Sequence, residues 1–217
     1  MSSSPTAVLF DLDGVLLDSR RAVRQAVLGV AGAVLGKPFD EGELPADLDH
    51  LRHDELLAHL GVVDQEIAFG TPWEVALGVA MRNASPFPGA VEVLRDLAAA
   101  GTEIGVVTMQ PRSRVAWMIP QEISSYFSVV VGWGDAEPKP SGAGILLALD
   151  RLGVPPGRAC FVGDSPSDIA AASAAGVPSI GAAWGYTGPA LESSGPTVLV
   201  HALTHVPDAA RRLLGPA

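Results

Sequence analysis

The chain has 217 residues, 48% of them hydrophobic and 18% charged, which suffices for a full core and excludes a disordered or low-complexity polypeptide. Its net charge of −10, from 24 acidic against 14 basic residues with no Lys/Arg cluster, argues against a nucleic-acid partner and demands local cations wherever an anion is bound. The length exceeds one average domain and falls short of two, so one core with a smaller insertion is expected.

Residues 1–6 carry no basic stretch followed by an apolar one, and no later segment offers about 20 uninterrupted apolar residues. A soluble, cytoplasmic protein with no membrane partner is therefore expected. Residues 7–10 form an apolar run that stops abruptly at Asp11-Leu12-Asp13-Gly14, a buried strand delivering carboxylates into a loop. From 15 to 85 no clear strand is seen, and helical segments lie near 20–35, 54–60 and 73–82. This stretch reads as an inserted helical domain, bounded by Gly14 and by Pro86-Phe87-Pro88-Gly89. Further on, the short apolar runs 104–107, 129–131, 160–162 and 179–181 alternate with helices over 89–100, 143–152 and 167–175. Strands alternating with helices predict an α/β fold with a Rossmann-like parallel sheet, whose core comprises 1–15 and 86–217 and whose insertion occupies 16–85. Crossovers of the usual hand gather loops at the carboxyl ends of the strands, where Asp11, Thr108 and Asp164 all fall. Cys160, the single cysteine, has no partner for an internal disulfide and sits in an apolar run.

Taken singly, each polar residue has an ordinary explanation. Asp11 and Asp13 could cap a loop, Thr108 could bond to backbone at a strand end, and Lys139, between Pro138 and Pro140, could be a solvated surface lysine. Their occurrence together with Gly163-Asp164-Ser165-Pro166-Ser167-Asp168 after another strand makes an active site the better reading.

In this order the residues resemble the four motifs of the haloacid dehalogenase superfamily: Asp11-Leu12-Asp13-Gly14-Val15-Leu16-Leu17-Asp18-Ser19, then Val106-Val107-Thr108, then Pro138-Lys139-Pro140, then Phe161-Val162-Gly163-Asp164-Ser165 through Asp168. The stretch Ala174-Ala175-Gly176-Val177, followed by Trp184-Gly185-Tyr186, resembles the phosphoglycolate phosphatase branch. The resemblance implies an enzyme that hydrolyses the phosphomonoester of a small metabolite through a phosphorylated Asp11, with Asp13 as general acid and base. It also implies Mg²⁺, held by the side chains of Asp11 and Asp164 and the main-chain carbonyl of Asp13, with Asp168 supporting the site from behind. Lys139 and Thr108 would bind the phosphate and stabilise the charge on its oxygens. The chain departs from the pattern at Met109 and Gln110, where the family usually has a small polar residue and then often Lys. That departure leaves open a missing contact or a different leaving group.

In the family, an insertion between the first two motifs is a helical cap that closes over the substrate. Arg52 stands where related β-phosphoglucomutases carry a substrate arginine, so Arg52 is the expected substrate contact there; both it and His53 could equally face water. The remaining histidines lack metal-ligand spacing, and the four tryptophans read as core or rim aromatics. Three rival readings meet particular residues. Dehalogenation needs no second catalytic Asp, and Asp13 opposes it. Phosphotransfer between sugar positions is opposed by Val23, where that group has His. A retired, ligand-binding member finds support only in Met109-Gln110. The expected partner is a small phosphorylated metabolite, acted on by a monomer or weak homodimer.

Overall fold

A computed structural model of the chain describes residues 5–45, 51 and 53–215. In chain order its elements are β1 (Ala7–Phe10), β2 (Leu17–Asp18), α1 (Arg20–Leu35), α2 (His53–His59), α3 (Gln65–Ala68), α4 (Thr71–Ala80), β3 (Ser85–Pro86), α5 (Ala90–Ala99) and β4 (Glu103–Pro111). There follow α6 (Arg112–Met118), α7 (Gln121–Ser124), β5 (Val129–Trp133), α8 (Ala143–Leu152), β6 (Ala159–Gly163), α9 (Pro166–Ala174), β7 (Ser179–Ala182), β8 (Val198–Val200) and α10 (Val206–Leu214).

Six strands form one parallel sheet in the order β5-β4-β1-β6-β7-β8. All four residues of β1 are fully buried, as a central parallel strand covered on both faces must be. Alternate side chains supply the two faces: Leu9 joins Val107, Val131 and Phe161 against Ile145 and Leu149 of α8 and Ala172 of α9, while α5 and α10 pack on the opposite side. The chain steps outward from β1 to β4 and β5 and then crosses back to β6. That reversal puts a crevice at the carboxyl end of β1, the place where open α/β sheets bind ligands.

The chain divides into two compact units, Met1–Leu17 with Pro86–Ala217, and Asp18–Ser85. The first division falls two residues beyond the expected boundary at 15/16, because Val15, Leu16 and Leu17 are wholly buried and fold back on Leu12, whose carbonyl accepts from all three amides. Within the helical unit α1 and α4 pack along each other, small residues such as Ala26, Gly29 and Ala76 allowing the approach. Helix α1 ends at Gly36 in the left-handed conformation. Among the described residues no helix is long and apolar enough to cross a membrane.

Candidate active site

Asp11 and Asp164 follow directly on β1 and β6, Thr108 lies within β4, and Lys139, in the loop after β5, reaches Asp11 and Asp168. Asp11 follows β1, where its amide donates to the carbonyl of Val162, tying the first loop to the neighbouring strand at 2.8 Å. Gly14 then turns the chain with φ of 83°, a conformation that disfavours side chains, and a Cβ there would run into the carboxylate of Asp164.

Lys139 is the hub. Its Nζ donates to Asp11 Oδ1 at 2.7 Å and to Asp168 Oδ1 at 2.6 Å, and the three side chains are almost entirely withdrawn from water. The other oxygen of Asp168 accepts from the amides of Asp164 and Ser165 and from Ser165 Oγ at 3.2, 3.0 and 2.7 Å. Ser165 in turn caps α9 by accepting from the Asp168 amide, so the two residues form a reciprocal box at the helix start. With both oxygens so engaged, Asp168 fixes Lys139 and the loop that bears Asp164. Gly163 has no room for a Cβ, which would fall into the Asp168 side chain.

Asp164 Oδ2 accepts from the amide of Tyr186 at 2.6 Å. The preceding Gly185 passes so close that a Cβ would lie 2.6 Å from that oxygen and 2.7 Å from the carbonyl of Gly14. Trp184 donates its indole N–H to the carbonyl of Val15 at 3.1 Å. The Trp184-Gly185-Tyr186 stretch therefore clamps the first and fourth loops together.

Thr108 is buried, and its Oγ1 accepts from the amide of Gln110 at 3.1 Å. β4 does not stop at Val107 as the apolar run implies. It continues to Pro111 past a register shift against β5, and Gly132 opposite leaves the space, since a Cβ there would meet the Gln110 carbonyl at 2.7 Å. The irregular stretch exposes Met109 and turns Gln110 toward Asp13, whose Oδ2 accepts from Gln110 Nε2 at 2.9 Å. Arg114, buried in α6, donates to Gln110 Oε1 at 2.6 Å. Arg114 is not among the residues that the sequence singles out, and Gln110 stands there only as a departure, with Met109, from the family pattern.

Oxygens of Asp11, Asp164 and Asp168 lie within 4.8 Å of one another. Burial pushes the Asp11 carboxyl well above the usual carboxylate range; Lys139 opposes the shift while repulsion from Asp168 and Asp164 adds to it. Asp164 is pushed up to about 7 by burial and then by Asp168, against the Tyr186 amide and Lys139. Burial alone would lower Lys139, but Asp11 and Asp168 outweigh it and hold the ammonium above its ordinary value. Were all three carboxylates ionised, one ammonium would leave two negative charges uncompensated in a dry centre, and an all-oxygen donor set of this kind suits a hard divalent cation.

Arg52 lies outside the described residues. His53 begins α2 in the helical unit, its ring against Trp73 with centroids 5.0 Å apart.

A family model described as haloacid dehalogenase-like hydrolase matches residues 8–182. The phosphoglycolate phosphatase of Pseudomonas putida is 33% identical over 215 residues, covering 90% of this chain and 76% of that protein. That of Escherichia coli is 41% identical over 120 residues, which span 54% of this chain and about half, 48%, of the longer relative. Among solved structures, a subfamily IA hydrolase of the same superfamily from Geobacter sulfurreducens superposes with a TM-score of 0.72 at 26% identity, covering 97% of this chain and 100% of that one.

Proposed function

The chain belongs to the haloacid dehalogenase-like hydrolase family and is a phosphatase of it, and on that premise we propose that it hydrolyses the phosphomonoester of a small metabolite in two steps, through an aspartyl-phosphate on Asp11 and with Mg²⁺ as cofactor. The observation that carries the reading is the buried Lys139 ammonium set between Asp11 and Asp168, with Asp164 alongside. One cation among three carboxylates serves no packing purpose, whereas a site that must bring an anionic ester to an anionic nucleophile needs that arrangement completed by a dication.

In the first step an Asp11 carboxylate oxygen attacks phosphorus. As the new oxygen–phosphorus bond forms, the bond to the leaving oxygen breaks, and that oxygen takes the proton carried by the Asp13 carboxyl. In the second step Asp13, now a carboxylate, takes a proton from water as the water oxygen attacks phosphorus. The bond to Asp11 then breaks, releasing phosphate and restoring both carboxyl groups. Lys139 holds Asp11 in place and presents its remaining N–H to a phosphate oxygen. Thr108, whose oxygen is occupied by the Gln110 amide, has its hydroxyl proton directed to another. Asp11, Asp164 and the main-chain carbonyl of Asp13 would hold Mg²⁺, which when bound neutralises charge on the ester and nucleophile.

Phosphoglycolate is the first substrate to try, since both curated relatives compared above bear that name; sugar phosphates and other small esters follow. The test is phosphate release from such a panel with and without Mg²⁺. Magnesium-dependent release that vanishes in Asp11→Asn is the expected result. Release that persists in Asp11→Asn refutes the covalent route, and no release from any ester moves the chain to the ligand-binding reading.

A further inference from the structure

We propose that Gln110 is a positioning residue for Asp13: an amide adaptor, itself held by Arg114, that fixes the acid–base carboxyl where it can serve both steps. The inference rests on the phosphatase reading above.

The contacts define the adaptor's direction without ambiguity. A guanidinium only donates, so Oε1 of Gln110 must face Arg114, at 2.6 Å; Nε2 is then left to face Asp13 Oδ2, at 2.9 Å. Both ends are anchored in the sheet unit, because Gln110 also donates its own amide to Thr108 Oγ1, and Arg114 sits buried in the helix that follows directly on β4. Asp13, itself half-buried, lies in a loop 97 residues away in sequence, and the contact from Gln110 restricts the rotamer of its carboxyl.

An amide presents an acceptor at one end and donors at the other, so it can join Arg114 to Asp13. Arg114 supplies orientation from one side chain further off. Lysine at position 110 would offer Arg114 no acceptor, and glutamate would offer Asp13 no donor, so only an amide of this length satisfies both neighbours.

Leaving-group dependence separates positioning from general damage. An alkoxide needs Asp13's proton to depart, while p-nitrophenolate does not, so kcat/KM for p-nitrophenyl phosphate reports attack by Asp11 with little demand on Asp13. For Gln110→Ala, kcat/KM on an alkyl phosphomonoester should fall by about tenfold or more, given that a positioned acid contributes roughly 10² to 10⁴ in rate, with a change of less than about threefold on p-nitrophenyl phosphate. Its kcat on p-nitrophenyl phosphate should fall as well, because hydrolysis of the phosphorylated Asp11 still needs Asp13 as base. Gln110→Glu, which keeps the shape and the Arg114 contact but turns an acceptor toward Asp13, should show the same split, and it carries the comparison alone if the alanine variant does not fold. Equal losses on the two esters, or a glutamate variant with wild-type leaving-group dependence, overturn the proposal while leaving the phosphatase reading intact. A wild-type protein that cleaves neither ester overturns both.

Discussion

Replacing Lys139 by Met removes the single ammonium from a centre holding Asp11, Asp164 and Asp168, and the consequence for stability can be worked from the contacts. At an effective dielectric of about 20, each contact of 2.6 to 2.7 Å carries on the order of 6 kcal/mol of gross attraction. Most of that is offset by the cost of dehydrating the ammonium, and removing one partner of a buried pair typically costs about 3–5 kcal/mol because its counter-charges stay behind. For a chain of this length that lowers the thermal midpoint by on the order of 10 °C.

The loss should also depend on pH in a defined direction. Buried carboxylates without Lys139 ionise only at higher pH than in the unfolded chain, where they titrate near 4. Between those values the folded state binds more protons than the unfolded one, so stability falls as pH rises. The wild type already behaves this way at Asp164, raised to about 7, but retains the cation. The gap between Lys139→Met and wild type, measured by thermal unfolding in chelator, should therefore be small near pH 5 and reach its full size near pH 8. A gap of equal size at both, or one that shrinks toward high pH, would refute the charge-balance argument.

Gly185→Ala should displace Asp164, since its Cβ has no space beside the carboxylate or the Gly14 carbonyl; overpacking costs about 1–3 kcal/mol. The expected readouts are a lowered urea midpoint and Mg²⁺ affinity reduced by about tenfold or more by calorimetry, as expected when a group supporting the metal site is disturbed; unchanged affinity would contradict the clamp. Ser165→Ala breaks the reciprocal box at the start of α9 and should cost about 1 kcal/mol in urea unfolding, with no cost meaning that the Asp168 carboxylate caps the helix unaided. Cys160, fully buried with its thiol pushed up to about 12 by burial, should react with a disulfide reagent no faster than the chain unfolds, and prompt labelling of the folded protein would show that β6 opens locally.

What the sequence reveals of this fold depends on how completely a segment is buried. β1 and β6 are apolar throughout because both faces are covered, and their ends are marked by Asp11 and Asp164. β8, the apolar Val198-Leu199-Val200 at the sheet edge, is only three residues long with two half-buried, and neither it nor the helix α10 that follows is among the expected elements. β4 was expected to stop at Val107 because polarity rises there, yet pairing resumes at Pro111; the permissive residue is Gly132, on a different strand. Within the site, Asp11, Asp13, Lys139 and Asp164 stand out in the sequence chiefly because their order resembles the motifs of the family. The Tyr186 amide that steadies Asp164 does not, since any residue carries such a donor.

Gln110 shows a different kind of limit. As a half-buried glutamine near the end of β4 it has no chemical signature, and its meaning arises only from neighbours 97 residues before it and four after it. The family pattern flagged the position and left open a missing contact or a different leaving group. The structure suggests why the replacement is coherent. A protein of net charge −10 gains nothing from distant cations, since charges beyond about 8 Å are screened at physiological salt, so what is placed within a few ångströms of Asp13 decides its behaviour. A lysine there would supply local attraction for phosphate but would offer Arg114 no acceptor. An amide gives up that attraction and keeps both Asp13 and Arg114 hydrogen-bonded, which on the proposed reading leaves Lys139 to draw in the ester.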